Sequence, residues 1–119
     1  MIFGSHVVVS STDATADRAV LRDVFGWDAV DAGGDWLIFA LPPAEAAVHP
    51  AEASSVDLYL MSDDVAADIR LLEAAGLPCA KVEAARWGTV TRFRLPGGAE
   101  FGLYQPSHPS PVSPPPAPR

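Results

Sequence analysis

Leu95-Pro96-Gly97-Gly98-Ala99-Glu100-Phe101-Gly102-Leu103-Tyr104 is a Pro-Gly-Gly turn running into an apolar strand, and the chain holds an earlier counterpart of it. Leu41-Pro42-Pro43-Ala44-Glu45-Ala46-Ala47-Val48-His49 has the same order with a turn one residue shorter. A repeat of this kind organises everything upstream of it. Residues 5–10 (SHVVVS) and 56–61 (VDLYLM) each predict a strand, and each is followed by a helical pattern. The first helix starts at Thr12 or Asp13, residues suited to an N-cap. It turns Val20, Leu21, Val24 and Phe25 inward and stops at Gly26. The second starts at Asp63 or Asp64, carries Val65, Ile69 and Leu72 on one face, and stops at Gly76 with Pro78 behind it. Two more strands fit between each helix and its turn: 27–32 and 36–41 across Gly33-Gly34-Asp35, then 80–84 and 89–95 through Ala85-Arg86-Trp87-Gly88. Each half therefore reads βαβββ, with one unit at 1–50, a short polar linker at 50–55 and a second unit at 56–106. The fold class is α+β.

The 119 residues suit a single folded domain, 1–106, and the 49% apolar and 19% charged content is that of a globular protein with a core. From Gln105 onward the sequence is QPSHPSPVSPPPAPR, which holds seven of the chain's twelve prolines. Residues 107–119 are accordingly read as an extended Pro-rich tail, a spacer or a polyproline ligand for a partner domain. No apolar run reaches the roughly 18 residues of a membrane span, and no leader pattern opens the chain, so a cytoplasmic protein is expected. The lone Cys79 excludes an internal disulfide and has no basic neighbour to activate it, so an inert thiol is expected. A net charge of −7, with only eight basic residues, speaks against nucleic acid or an anionic membrane as partner.

Two βαβββ units with His6 opening the first strand, Asp63-Asp64 opening the second helix, and Leu95-Pro96-Gly97-Gly98 before Glu100-Phe101-Gly102-Leu103-Tyr104-Gln105-Pro106 resemble the vicinal oxygen chelate superfamily. That group includes glyoxalase I, extradiol dioxygenases, fosfomycin-modifying enzymes and bleomycin-resistance proteins. The resemblance implies paired units whose mixed sheets curve into a cup around a small organic molecule, commonly in a homodimer. It also implies up to four metal-ligand positions, which fall here on His6, Ala47, Asp57 and Gly102. Alanine and glycine carry no donor atom, so one imidazole and one carboxylate remain where a mononuclear site needs three or more ligands.

Strand alternation adds polar groups to the same wall. Glu45 and His49 flank Ala47, and Glu100 and Tyr104 flank Gly102, each two residues away and on one face. By this reading the cup is lined by His6, Val8, Glu45, Asp57, Tyr59, Met61, Glu100, Gly102 and Tyr104, with His6 and Asp57 facing one another as a candidate acid–base pair. No cofactor is favoured. The alternative is one divalent metal (Zn, Mn, Fe or Ni) on His6 and Asp57 with Glu45, His49 or Glu100. Two functions follow: a metal-poor binding protein that sequesters or senses a planar compound, or a metal-dependent lyase, isomerase or dioxygenase. Trp36, Trp87 and Tyr59 either pack the sheets or stack on such a ligand. Arg92 and Arg94 share a face that reads as solvated. His108, in the tail, has no evident role.

Overall fold

The computed structural model describes residues 6–34, 37–45, 47, 50, 52–53, 55–109 and 111. Helix α1 spans Ala14–Ala19 and runs on through a π-helical turn at Val20–Val24. Its N-cap is Asp13, whose carboxylate accepts from the Ala16 N–H at 3.2 Å. Among the described residues, the hairpin β1 (Ala29–Asp31) and β2 (Leu37–Phe39) pairs only with itself. A strand β3 (Tyr59–Met61), a helix α2 (Val65–Ala74) and three strands, β4 (Glu83–Ala85), β5 (Gly88–Arg94) and β6 (Glu100–Pro106), follow. These strands form a mixed sheet in the order β3-β6-β5-β4, with β3 parallel to β6 and the other pairs antiparallel. Such a pairing of first and last strand needs a crossover, and α2 supplies it.

Local signals explain α2. Asp64 caps it by accepting from the Ala67 N–H at 3.1 Å, and the Ser62 hydroxyl accepts from the Asp64 N–H at 3.0 Å. The Gln105 side chain, reaching over from β6, accepts from the Val65 N–H at 3.1 Å. The C-terminal end closes at Gly76, φ 83°, where the Gly76 N–H bonds to the Glu73 carbonyl and the Leu77 N–H to the Leu72 carbonyl. This is the paired carbonyl capture that a left-handed residue allows after a helix, with Leu72 and Leu77 in apolar support.

The core lies on one face of the four-stranded sheet. Phe93 and Leu95, from β5 and its end, and Phe101 and Leu103 from β6 meet Val65 and Leu72 of α2, Leu77, and Val20 at the end of α1. Phe25 adds an edge contact to Phe93, with centroids 6.1 Å apart. Buried Asp17 ties α1 to the Pro96-Gly97-Gly98 turn. Its Oδ1 accepts from the Gly97 N–H at 2.7 Å, and the Thr12 hydroxyl donates to the Gly97 carbonyl at 3.2 Å.

The second half is thus βαβββ, while the first shows only helix and hairpin among the described residues. The strand expected at 5–10 is irregular over residues 6–10, with Val7 and Val8 exposed at 47% and 68%. A strand needs a partner ladder, and among the described residues none pairs with residues 6–10. Of the strand expected around Ala47, Glu45 and Ala47 are irregular, and His49 lies outside the described residues, as does Trp36. The remaining strands form within the predicted stretches but shorter, or a few residues later, as with β4. Pro106 still pairs with Gly88, so the sheet runs to the last residue before the tail. No described helix is long and apolar enough to cross a membrane.

Asp17→Ala is expected to destabilise the protein by about 1–3 kcal/mol, since it strands the Gly97 donor beneath α1. Urea unfolding of the two proteins checks this, and Asp17→Asn, which keeps an acceptor, should lose less.

Candidate functional site

The opposite face of the sheet carries the polar and aromatic side chains. Alternation and register set it out in rows. Tyr59, Gly102 and Arg92 lie side by side on β3, β6 and β5; Met61, Tyr104 and Val90 form the next row; and Arg94 and Glu100 pair beyond the first.

Gly102 decides what the first row can be. A Cβ built there would come within 2.1 Å of the Tyr59 ring, so the phenol lies against the bare β6 backbone. Lying there, its hydroxyl accepts from the Arg92 guanidinium, which also stands over the ring at 5.1 Å from the centroid. Arg92 in turn reaches Glu100 at 3.3 Å, and Arg94 approaches the other carboxylate oxygen at 3.5 Å. Three rings meet on this face at near-perpendicular angles: Tyr59 with Trp87 at 5.9 Å, Tyr59 with Tyr104 at 5.9 Å, and Trp87 with Tyr104 at 5.2 Å. Trp87, on the β4–β5 turn, is 41% exposed and forms the open side of the cluster.

Tyr104 is buried, and its hydroxyl donates to Glu45 Oε1 at 2.6 Å. Burial first, then that hydrogen bond and the Glu45 charge, push the Tyr104 phenol up to about 12. His108 stacks on the same ring, with centroids 6.0 Å apart at 26°. Away from this face, burial pushes the Cys79 thiol up, with the Glu73 charge adding to it, in keeping with an inert cysteine.

Of the residues expected in the site, Glu45, Tyr59, Met61, Glu100, Gly102 and Tyr104 come to this face or its rim. His6, Val8 and Asp57 are exposed, and no ion pair among the described residues joins His6 to Asp57. The space at Gly102 is filled by the Tyr59 ring. Arg92, Trp87 and His108 belong to the face, although Arg92 read as solvated and His108 as having no role. The hairpin register across the Pro-Gly-Gly turn would have located Arg92, because pairing Arg94 with Glu100 sets Arg92 opposite Gly102.

Among the described residues, the ligands expected for a divalent metal are not brought together. Ala47 and Gly102 offer no donor, Glu100 is held by two guanidinium groups, and among the described residues no three His, Cys, Asp or Glu side chains cluster.

No protein-family model matches the chain, and no curated protein does. Solved structures do. An antibiotic binding protein, TnmS3, from Streptomyces sp. CB03234 superposes with a TM-score of 0.67 at 26% identity, over 90% of this chain and 99% of that one. A glyoxalase/bleomycin resistance protein from the same organism gives 0.58 at 25% identity, over 82% and 95%. A lactoylglutathione lyase from Agrobacterium tumefaciens gives 0.61 at 19% identity, over 84% and 90%, a likeness of fold alone. The fold is that of the vicinal oxygen chelate superfamily, and within it the chain is similar to glyoxalase/bleomycin resistance proteins.

Two outcomes test this geometry. Gly102→Ala should cost about 1–3 kcal/mol and expel Tyr59 from its seat, seen in thermal melts and in near-ultraviolet circular dichroism. In an alkaline titration read by phenolate absorbance, Tyr104 should ionise at about 12, above the ordinary value near 10. Because the folded value is the higher one, stability is intact below about pH 10 and falls as pH rises through about 12. Glu45→Gln should lower that titration, and burial alone should keep it above 10.

Proposed function

We propose that the protein binds a small planar or aromatic compound on the Tyr59–Trp87–Tyr104 face, without a metal, as a sequestering or sensing protein of the bleomycin-resistance type. The observation that carries this is the aromatic cluster itself: two tyrosines locked edge-on by Arg92 and Glu45, with an exposed indole beside them. Apolar walls with a few fixed polar groups are the usual make-up of a small-molecule site. The likeness to an antibiotic binding protein at 26% identity supports the same reading. A homodimer belongs to the proposal as well. Val30 and Ile38 stand opposite one another on β1 and β2, both exposed, at 66% and 37%, and offer apolar side chains for a second copy to cover.

The test is a panel of planar metabolites and antibiotics followed by thermal shift and tryptophan emission, with and without EDTA. A hit should persist in EDTA and weaken by about tenfold or more in Trp87→Ala, the loss expected of one stacking ring. Hits that need added metal and give turnover would replace this proposal with the lyase or dioxygenase alternative.

A further inference from the structure

The start of the Pro-rich tail is part of the site. After Pro106 the chain is pinned to the β4–β5 turn, with the Ser107 N–H donating to the Trp87 carbonyl at 3.0 Å and the Ser107 hydroxyl to the Arg86 carbonyl at 3.2 Å. That hold aims His108 back onto Tyr104, where its ring lies nearly parallel to the phenol while the protein's own aromatic rings there meet edge to face. His108 Nε2 is 3.4 Å from the Tyr104 hydroxyl and 3.7 Å from Glu45 Oε1, and its Nδ1 is 2.8 Å from the Pro109 carbonyl.

The polar partners fix the character of the ring that fits there. The Pro109 carbonyl can only accept, so Nδ1 carries a hydrogen. The Tyr104 hydroxyl gives its hydrogen to Glu45, so Nε2 faces a hydroxyl oxygen and a carboxylate oxygen. A ring with N–H on both sides satisfies every one of these contacts; a ring with a lone pair at Nε2 sets it against acceptors. Among the described residues, the imidazole faces Tyr104 from β6 and the Glu45 carboxylate from the loop after β2. Elsewhere on the face the Arg92 charge is met by Glu100.

We propose that His108 is a built-in surrogate ligand: the tail occupies the stacking place on Tyr104, and the compound that displaces it is a flat, cationic nitrogen heterocycle with an N–H directed at Glu45. This rests on the binding function proposed above and adds the class of ligand and a competitor carried by the chain itself. A net charge of −7 favours the approach of such a cation. Because the face accepts a ligand only when His108 has left it, the apparent dissociation constant is the intrinsic one divided by the open fraction.

Proflavine, a planar acridine cation, tests this by fluorescence titration of the full-length chain, with anthracene carboxylate as the anion of similar shape. His108→Ala should tighten proflavine by about threefold or more, the factor for a tail that holds the face about two-thirds of the time. His108→Phe keeps a ring but no N–H and should fall between the two. In the His108→Ala background, Glu45→Gln should weaken proflavine by about tenfold, and anthracene carboxylate should bind worse than proflavine throughout. Unchanged or weaker proflavine binding in His108→Ala overturns the surrogate role, and tighter binding of the carboxylate overturns the cationic class; either leaves an aromatic site standing. If neither probe binds the parent chain or His108→Ala, while both melt as folded proteins, the binding function falls with the inference.

Discussion

Where the Tyr59 phenol crosses β6 the strand carries no side chain, and the polar order of the open face depends on that gap. The parallel register of β3 against β6 sets Tyr59 beside Gly102, and the antiparallel register of β5 sets Arg92 on its other side. With the ring seated across the strand, its hydroxyl meets the guanidinium, its face shields the charge, and its edge meets Trp87 and Tyr104. Any side chain at position 102 would lift the ring and leave Arg92 with Glu100 alone. One missing Cβ thus does the work of several contacts, because the sheet has already fixed the rows.

That gap sits at a position where the resemblance implies a metal ligand. The exchange is chemically coherent. A donor atom there would hold an ion and a polar substrate; a bare backbone there admits a flat ring and the cation that stacks on it. Arg92 then engages Glu100, so the nearby carboxylate is drawn into an ion pair within the sheet. The face that results is organised by rings and hydrogen bonds.

The second half of the chain was legible because its signals are local. An Asx cap, a helix ending at Gly76 and a Pro-Gly-Gly turn each specify backbone geometry within a few residues, and the core side chains of α2 followed from spacing alone. The first half was less legible for a reason of the same kind. Val7-Val8-Val9 has the composition of a strand, but a strand is a pair property, and nothing in the described chain pairs with it. At the site, Glu45 and Tyr104 were reached by alternation. His6 and Asp57 were set together by symmetry between the halves, and that symmetry is not expressed over residues 6–10. His108 had no local signal at all. In a proline-rich stretch composition describes a spacer, and the contact that holds His108 depends on Trp87, Arg86 and Tyr104 meeting in space.

Gln105 sits where β6 ends and the tail begins, and its side chain holds the first turn of α2 through the Val65 N–H. Its backbone is paired with Thr89 in the ladder. The residue is therefore a mechanical junction between an outside segment and an inside helix. Tension on the tail would first break the Ser107 and His108 contacts and then load Gln105, which transmits it sideways into the helix cap as well as along the strand. A handle attached to the C-terminal segment is consequently coupled to the floor of the aromatic face and to the helix packed beneath it.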